Sequence, residues 1–447
     1  MDQREHYISS FAELETRLAK HRPPSLKRVC RAALDRFAEL GFPTTRLEDW
    51  RFTNVTPIAQ TSFVPAPNGG SGASTAPGAL GRDALKEAAR SQLVFVNGRY
   101  APALSQASRL PGGLMIGSLA AALEQTPDLV ESHLARYARY DDHAFVALNT
   151  AFVEDGAFVC IPDGVIVDDP IRLLFVSTAN GEASISHPRN LILAGSHSRA
   201  VIAETYLGAE NGVYFTNAVT EMVAGTNAVI EHLKVQRERE EAFHVATLAV
   251  HQDSDSKVSL HSISLGGSLV RNDLSTRLGG EGADCVLNGL YMVGGQQHVD
   301  NHTMIDHVTP HSSSLENYRG VVDGRAHAVF SGRIDVQPGA QKIVARQSNK
   351  NLLLSDDAVV NTKPHLRIYA DDVKCFHGAT VGMLDEDALF YLRSRGMSAE
   401  MARDLLVYGF VGEVLGAIGA RRLRDDMEQL VIERLPTGSE LREVEAA

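Results

Sequence analysis

The sequence predicts a mainly β protein with helical segments at both ends, and three observations predict it. Between Asp155 and about Gly382, short apolar runs such as AFVCI, IRLLFV, NLILAG and HVATLAV recur, punctuated by Gly, Asn, Asp and Pro, with no helical period between them. Ahead of that stretch, apolar residues recur three and four apart. After it, Asp385 and Ser398 each lead a segment with the same helical spacing. This divides the chain into a helical N-terminal domain at 1–145, a β core at 146–382 and a C-terminal helical domain at 383–447. A long run of short strands without crossover helices is a sandwich, a barrel or a solenoid. Ala326, Ala328, Phe330, Gly332, Ile334 and Val336 place small and large apolar groups on one face, as stacked coils require, although no strict hexapeptide or nonapeptide repeat is visible.

The 447 residues can hold up to about three ordinary domains. Hydrophobic residues at 44% and charged residues at 22% are the composition of a globular chain. A net charge of −12 disfavours nucleic acid or an anionic membrane as the main partner. The N-terminus MDQREHYISS lacks the basic start and apolar core of a signal peptide, which predicts a cytoplasmic protein. Cys30, Cys160, Cys285 and Cys375 lie too far apart for a disulfide framework and suit a reducing compartment. Cys30 and Cys160 sit in apolar patterns, and Cys285 alternates with Leu287 toward one interior.

In chain order, Phe11, Leu14 and Leu18 form one helical stripe. Ser25 can cap a second helix whose Val29, Ala33, Phe37 and Leu40 share a face, closed by Gly41 and Pro43. Trp50, the only tryptophan, reads as a packing anchor. The Pro, Gly, Ser and Ala-rich stretch from Val64 to about Gly81 reads as a flexible loop or linker. Residues 92–98 predict a strand entering a turn, and Ser118 to Leu123 and Asp128 to Tyr140 predict helices. The mixed charges of KVQREREEAFH at 234–244 predict a solvated edge. The two C-terminal helices carry more apolar and aromatic residues than they can bury between themselves; the surplus packs on the β region or is offered to a partner.

The chemistry is expected in KPHLRIYADDVKCFHGATVG, residues 363–382. Continued as a strand, this stretch turns Cys375 and His377 to one side and Phe376 to the other. Two residues on a strand span about 6.5 Å, so thiolate and imidazole can reach one ion, and those donors suit zinc, iron or an iron-sulfur centre. Two ligands do not make a site: the rest come from elsewhere in the fold or from another subunit. The alternative is a buried cysteine beside a hydrogen-bonded histidine. In QHVDNHTMIDHVTPH at 297–311, an unbroken strand would put His298 and His302 on one face and His307 and His311 on the other, as a hydrogen-bonded ladder or a metal site. The glycine-rich runs lead into no phosphate loop, so no ATP site of that type is expected, and there is no GxSxG elbow.

Read together, EDWRFTN, ALNTAFVEDGAFV, GGSLVRNDL, GEGADCVLNGLYMV, QHVDNHTMIDH, VDGRAHAVFSGRI, QSNKNLLLS, NTKPHLRIYADDVKCFHGATVG and LDEDALFYLRSRG closely resemble the SufB/SufD family of iron-sulfur cluster assembly proteins. The resemblance runs from about Thr44 to Ile418, and its length and helical N-terminal domain suit the SufD branch. It implies a right-handed parallel β-helix between helical ends and a non-catalytic scaffold of the SUF complex. It implies a heterodimer with SufB, and SufC, an ATPase, bound through the C-terminal helices, where Leu384, Leu389, Phe390, Leu405, Tyr408 and Phe410 are the expected contacts. Iron or a nascent iron-sulfur cluster would then be held transiently at the SufB/SufD interface by Cys375 and His377, a buried pair exposed when SufC binds ATP. A flavin in the complex and a homodimer of the isolated chain stay open. Two other readings remain: a purely structural SufB partner without metal contact, and a carbohydrate-active β-helix enzyme.

Overall fold

A computed structural model describes residues 3–18, 22–66, 91–107, 112–178, 181–209 and 212–440. The centre is a β-solenoid of about seven coils. Each coil contributes one strand to each of two parallel sheets, so neighbours in a sheet are alternate strands in sequence. One sheet runs through Arg199–Gly208, Val229–Arg237, Lys257–Ser264, Asp284–Val293, Ser313–Val322 and Ile343–Leu353 to Val373–Met383. The other runs through Tyr214–Ala224, Phe243–Gln252, Leu269–Leu278, His298–His307 and His327–Val336 to Val359–Ile368. Inward residues alternate with outward ones. Ile202, Ile230, Leu260 and Leu287 of the first sheet meet Ala246, Leu274, Ile305, Phe330 and Ile334 of the second in one apolar interior.

The repeat that the sequence hides is a backbone one. Gly164, His197, Asn227, Asp255, Gly282, His311 and Lys342 all adopt positive φ, one at the same corner of each successive coil. Their amides donate to the next coil: His197 to Thr226, Asn227 to Ser254, Asp255 to Glu281, and so on to Lys342 and Asp372. Gly, Asn and Asp reach the left-handed region at little cost. His and Lys are held there by the coil hydrogen bonds, so the corner recurs without a recurring letter.

Helices Gln3–Leu18 and Pro24–Leu40 cover the outer face of the second sheet together with Ala144–Ala151. Phe11, Phe37, Trp50, Phe63 and Phe145 join Phe215, Phe243 and Leu269 in one cluster. Ser25 does not cap the second helix: the helix begins at Pro24 after Pro23, whose fixed φ suits a first turn without a side-chain cap, and ends at Gly41 as expected. The helix expected over Asp128 to Tyr140 covers Pro127–His133 only. Ala135 turns to φ 60°, and the Glu221 carboxylate accepts from the amides of Ala135, Tyr137 and Ala138, which pulls the chain out of the helix. Strand Ser91–Val96 enters a turn at Asn97 and Gly98, and it joins the first solenoid sheet beside Ile171–Ser177, so the sheet reaches back into the N-terminal region. Val64–Pro65 form a short strand; the remainder of the expected loop to Gly81 lies outside the described residues.

At the other end, Asp385 caps Glu386–Ser394 and Ser398 caps Ala399–Gly416, as their side chains predict. The third helix, Arg421–Ile432, follows. Val407, Val411, Val414, Leu415 and Ile418 pack on the outer face of the first sheet, against Leu233, Val235, Ile263, Leu290 and Val321. None of the described helices is long and apolar enough to cross a membrane.

Candidate functional site

The strand Val373–Met383 ends the first sheet. It pairs with Ile343–Leu353 on one side, with Cys375 opposite Ala345, Phe376 opposite Arg346 and His377 opposite Gln347. Ala345, Gln347 and Asn349 are buried and face the interior, so Cys375 and His377 stand on the inner row and Phe376 on the outer one, as the alternation predicts. Among the described residues no further coil covers that row. Cys375 is half-buried against the interior and His377 is exposed, both on the last coil of the single chain. Phe376 is 59% exposed, Tyr369 61% and Met383 62%, and Val381 and Ile368 are also exposed. An uncovered edge of this kind leaves backbone donors and acceptors beside apolar side chains.

Burial pushes the Cys375 thiol up, and the backbone hydrogen bond with Ala345 offsets this in part. The thiol therefore has to lose a proton before it can hold a metal ion, whereas a neutral imidazole does not. Among the described residues no group of three or more His, Cys, Asp and Glu side chains is placed to hold a metal ion. Cys375 and His377 are two donors at an edge.

The histidines of 297–311 take other roles. His298 and His302 share the outer face of their strand, as expected. His298 Nε2 lies 2.8 Å from Thr53 Oγ1, and His302 Nε2 lies 3.1 Å from Asp300 Oδ1. His307 is buried in the interior between the hydroxyls of Ser312 and Ser314, at 2.8 and 2.9 Å. His311 is outside the strand, at the positive-φ corner, which is where the unbroken register fails.

Around this run lies a clamp that sequence reasoning did not assemble. The Arg271 guanidinium lies 4.0 Å from the centre of the Trp50 ring. It donates to Asp300 at 2.5 Å, to Asp273 at 2.8 Å and to the Asp49 carbonyl at 2.7 Å. Thr53 donates to the same Asp300 at 2.5 Å. This is how EDWRFTN and GGSLVRNDL meet: the tryptophan anchors the N-terminal loop, as expected, and the arginine is its counterpart, legible only once the coils are in register. Arg271 holds the carboxyls of Asp273 and Asp300 well below the usual carboxylate range.

The charged run at 234–244 does not form a solvated edge. Arg239, Glu240 and Glu241 are exposed, but Lys234, Glu238 and His244 are buried. Lys234 occupies an inner position of its strand, donates to Asn272 Oδ1 at 2.6 Å and is pushed by burial to about 8. His244 Nδ1 lies 2.7 Å from Glu238, and Glu204 accepts from Tyr206 at 2.5 Å beside His232 at 3.0 Å. Opposite charges are thus stacked inside the solenoid, where each meets a partner.

Of the six C-terminal residues expected to meet a partner, Leu384, Leu405, Tyr408 and Phe410 pack partly against the chain's own first sheet. Arg319 reinforces this, bonding to the Phe410 carbonyl and to Glu413. Leu389 is half-buried. Phe390, 74% exposed, and its neighbour Tyr391, which has the Arg395 guanidinium over its ring, face outward on the helix Glu386–Ser394.

Two family models match the chain: "SUF system FeS cluster assembly, SufBD core domain" over residues 175–410, and "SufBD protein N-terminal region" over residues 1–173. The chain is 35% identical over 408 residues to an iron-sulfur cluster assembly SufBD family protein of Synechocystis sp., covering 89% of each. It is 29% identical to the iron-sulfur cluster assembly protein SufD of Escherichia coli, covering 91% of this chain and 92% of that one. Its identity to SufD of Bacillus subtilis is also 29%, over 96% and 97% of the two chains.

Proposed function

This chain belongs to the SufBD family of iron-sulfur cluster assembly proteins, and from that premise we propose that it is a SufD-like scaffold subunit that pairs with SufB and carries the ATPase SufC. The observation that supports this most is the bare last coil. A sister solenoid laid along Val373–Met383 would pair its free edge, cover Tyr369, Val381 and Met383, and bring further ligands to the two donors that Cys375 and His377 present.

Iron, or a nascent cluster, is cargo in this reading. A neutral imidazole binds a metal ion without first losing a proton, while the Cys375 thiol binds only after deprotonation, so His377 is the first contact and Cys375 completes it. The exposed Phe390 and Tyr391 give SufC its contact, and the packing of Leu405, Tyr408 and Phe410 on the first sheet makes the helices a rigid lever. Closure of a SufC pair on ATP then biases the seam between open and closed arrangements, a population shift that leaves ATP chemistry to the partner.

The test is His377→Ala in the coexpressed complex. The subunits should copurify as before, and bound iron and acid-labile sulfide should fall about tenfold or more, as loss of a metal-site residue does. Normal iron and sulfide in that variant would remove His377 from the site.

A further inference from the structure

Beneath the open edge, the inner row of the first sheet continues from His377 to Gln347 and on to Glu316, each opposite the next in register. Glu316 is fully buried. Every other buried carboxylate among the described residues meets an arginine, a histidine or backbone amides: Glu221 has Arg189, Glu204 has His232, and Asp404 accepts from the Thr437 amide. Glu316 has the Gln347 amide, which donates to its Oε2 at 2.6 Å; the nearby Thr303 hydroxyl makes no hydrogen bond among the described residues. Cys285 and Tyr318 face it and Tyr291 lies beside Tyr318, and burial holds all three neutral. His307, on the strand carrying Thr303, is engaged by two serines.

Two polar atoms of this pair lack a hydrogen-bond partner, Glu316 Oε1 and Gln347 Oε1. Both are acceptors if Glu316 is ionised, and then neither can satisfy the other. A protonated carboxyl removes the conflict, because a carboxylic acid and a primary amide each offer one donor and one acceptor to the other. Gly332 clears the place of the amide: a Cβ there would fall 2.2 Å from Gln347 Nε2.

We propose that Glu316 is a protonated positioning residue, paired as acid to amide with Gln347, and that this pair fixes the inner row on which His377 stands. The proposal rests on the reading of His377 as the iron-facing residue. Burial moves the Glu316 carboxyl up to about 7, with Thr303 and Gln347 only partly offsetting it. When the O–H bond gives its proton to solvent and the electron pair stays on oxygen, the pair loses one of its two hydrogen bonds. A negative charge is then left unpaired in the interior, and the last strand is released from its support.

The test reads the proton directly. Infrared spectra of the full chain at roughly pH 5.5 and roughly pH 9 should show a protonated-carboxyl stretch at the lower pH that disappears at the higher and is absent from Glu316→Gln. In the same pH interval, amide exchange across Val373–Met383, corrected for its intrinsic pH dependence, should rise about tenfold in the natural chain and stay flat in Glu316→Gln, whose amide can pair with Gln347 at any pH. Should that variant fail to fold, Gln347→Leu keeps the acid and should shift its stretch to that of an unpaired carboxyl. No such band at the lower pH, a band insensitive to Gln347, or the same exchange rise in Glu316→Gln would overturn the proposal. His377→Ala should leave the band in place, so a wrong metal assignment and a wrong pairing give different results.

Discussion

The two long faces of the early coils are covered, and the last coil is bare. Around Arg271 every charge has a partner: the guanidinium lies against Trp50, bonds two aspartates and a carbonyl, and ties the N-terminal loop to the second sheet. Around His377 the same alternation of inward and outward residues leaves an unpaired edge, exposed aromatics and two metal-type donors. Where the coil has a neighbour the polar groups are spent on structure, and where it has none they stay open at the edge.

That contrast can be broken from the covered side first. Arg271→Ala should cost about 3–5 kcal/mol in urea unfolding, because Asp273 and Asp300 would stay buried without their cation. A loss below about 1 kcal/mol would show that the N-terminal loop is not clamped as described.

Acid should act on the same covered region. Burial lowers His307 and His298 to about 4 and His187 to about 3. Above the ordinary histidine value both folded and unfolded chains hold these rings neutral. As pH falls below about 6.5, the unfolded chain takes up protons that the folded chain refuses, so stability drops toward pH 4 by on the order of 1 kcal/mol per histidine per pH unit. Denaturation midpoints measured across that range check this, and replacing His307 by Gln should flatten part of the slope. Glu316 works in the opposite sense: its raised carboxyl favours the folded chain fully below the unfolded value of 4.5, and that contribution is lost as pH rises through about 7.

The smallest effect is expected at the open edge. Phe376→Ser should change the stability of the isolated chain by less than about 0.5 kcal/mol, since the ring is exposed and on the outer row. The residue was also legible for what it is: the alternation in KCFHG separates it from Cys375 and His377 without any structure.

Much of the rest was legible for the same local reasons. Asp385 and Ser398 announce their helices through side chains that can cap, and Cys285 and Leu287 fall to one interior by alternation. What was not legible depends on register. Lys234 and Glu238 look solvated in a charged run, and only the stacking of coils shows that the lysine is an inner position facing Asn272. Glu316 in SSLENYRGVV carries no local mark at all; its importance comes from Gln347 and His377, one and two coils on. The helix expected through Tyr140 fails because of Glu221, which is distant in sequence and grips three amides at once.

The most direct measurement is amide hydrogen exchange over Val373–Met383 in the chain alone and after addition of SufB. A free edge paired by a sister solenoid should exchange quickly in isolation and become strongly protected in the mixture, with Ile343–Leu353 protected in both. Unchanged exchange in a mixture that nonetheless forms a complex would contradict the account, because the two donors would then lie away from the seam.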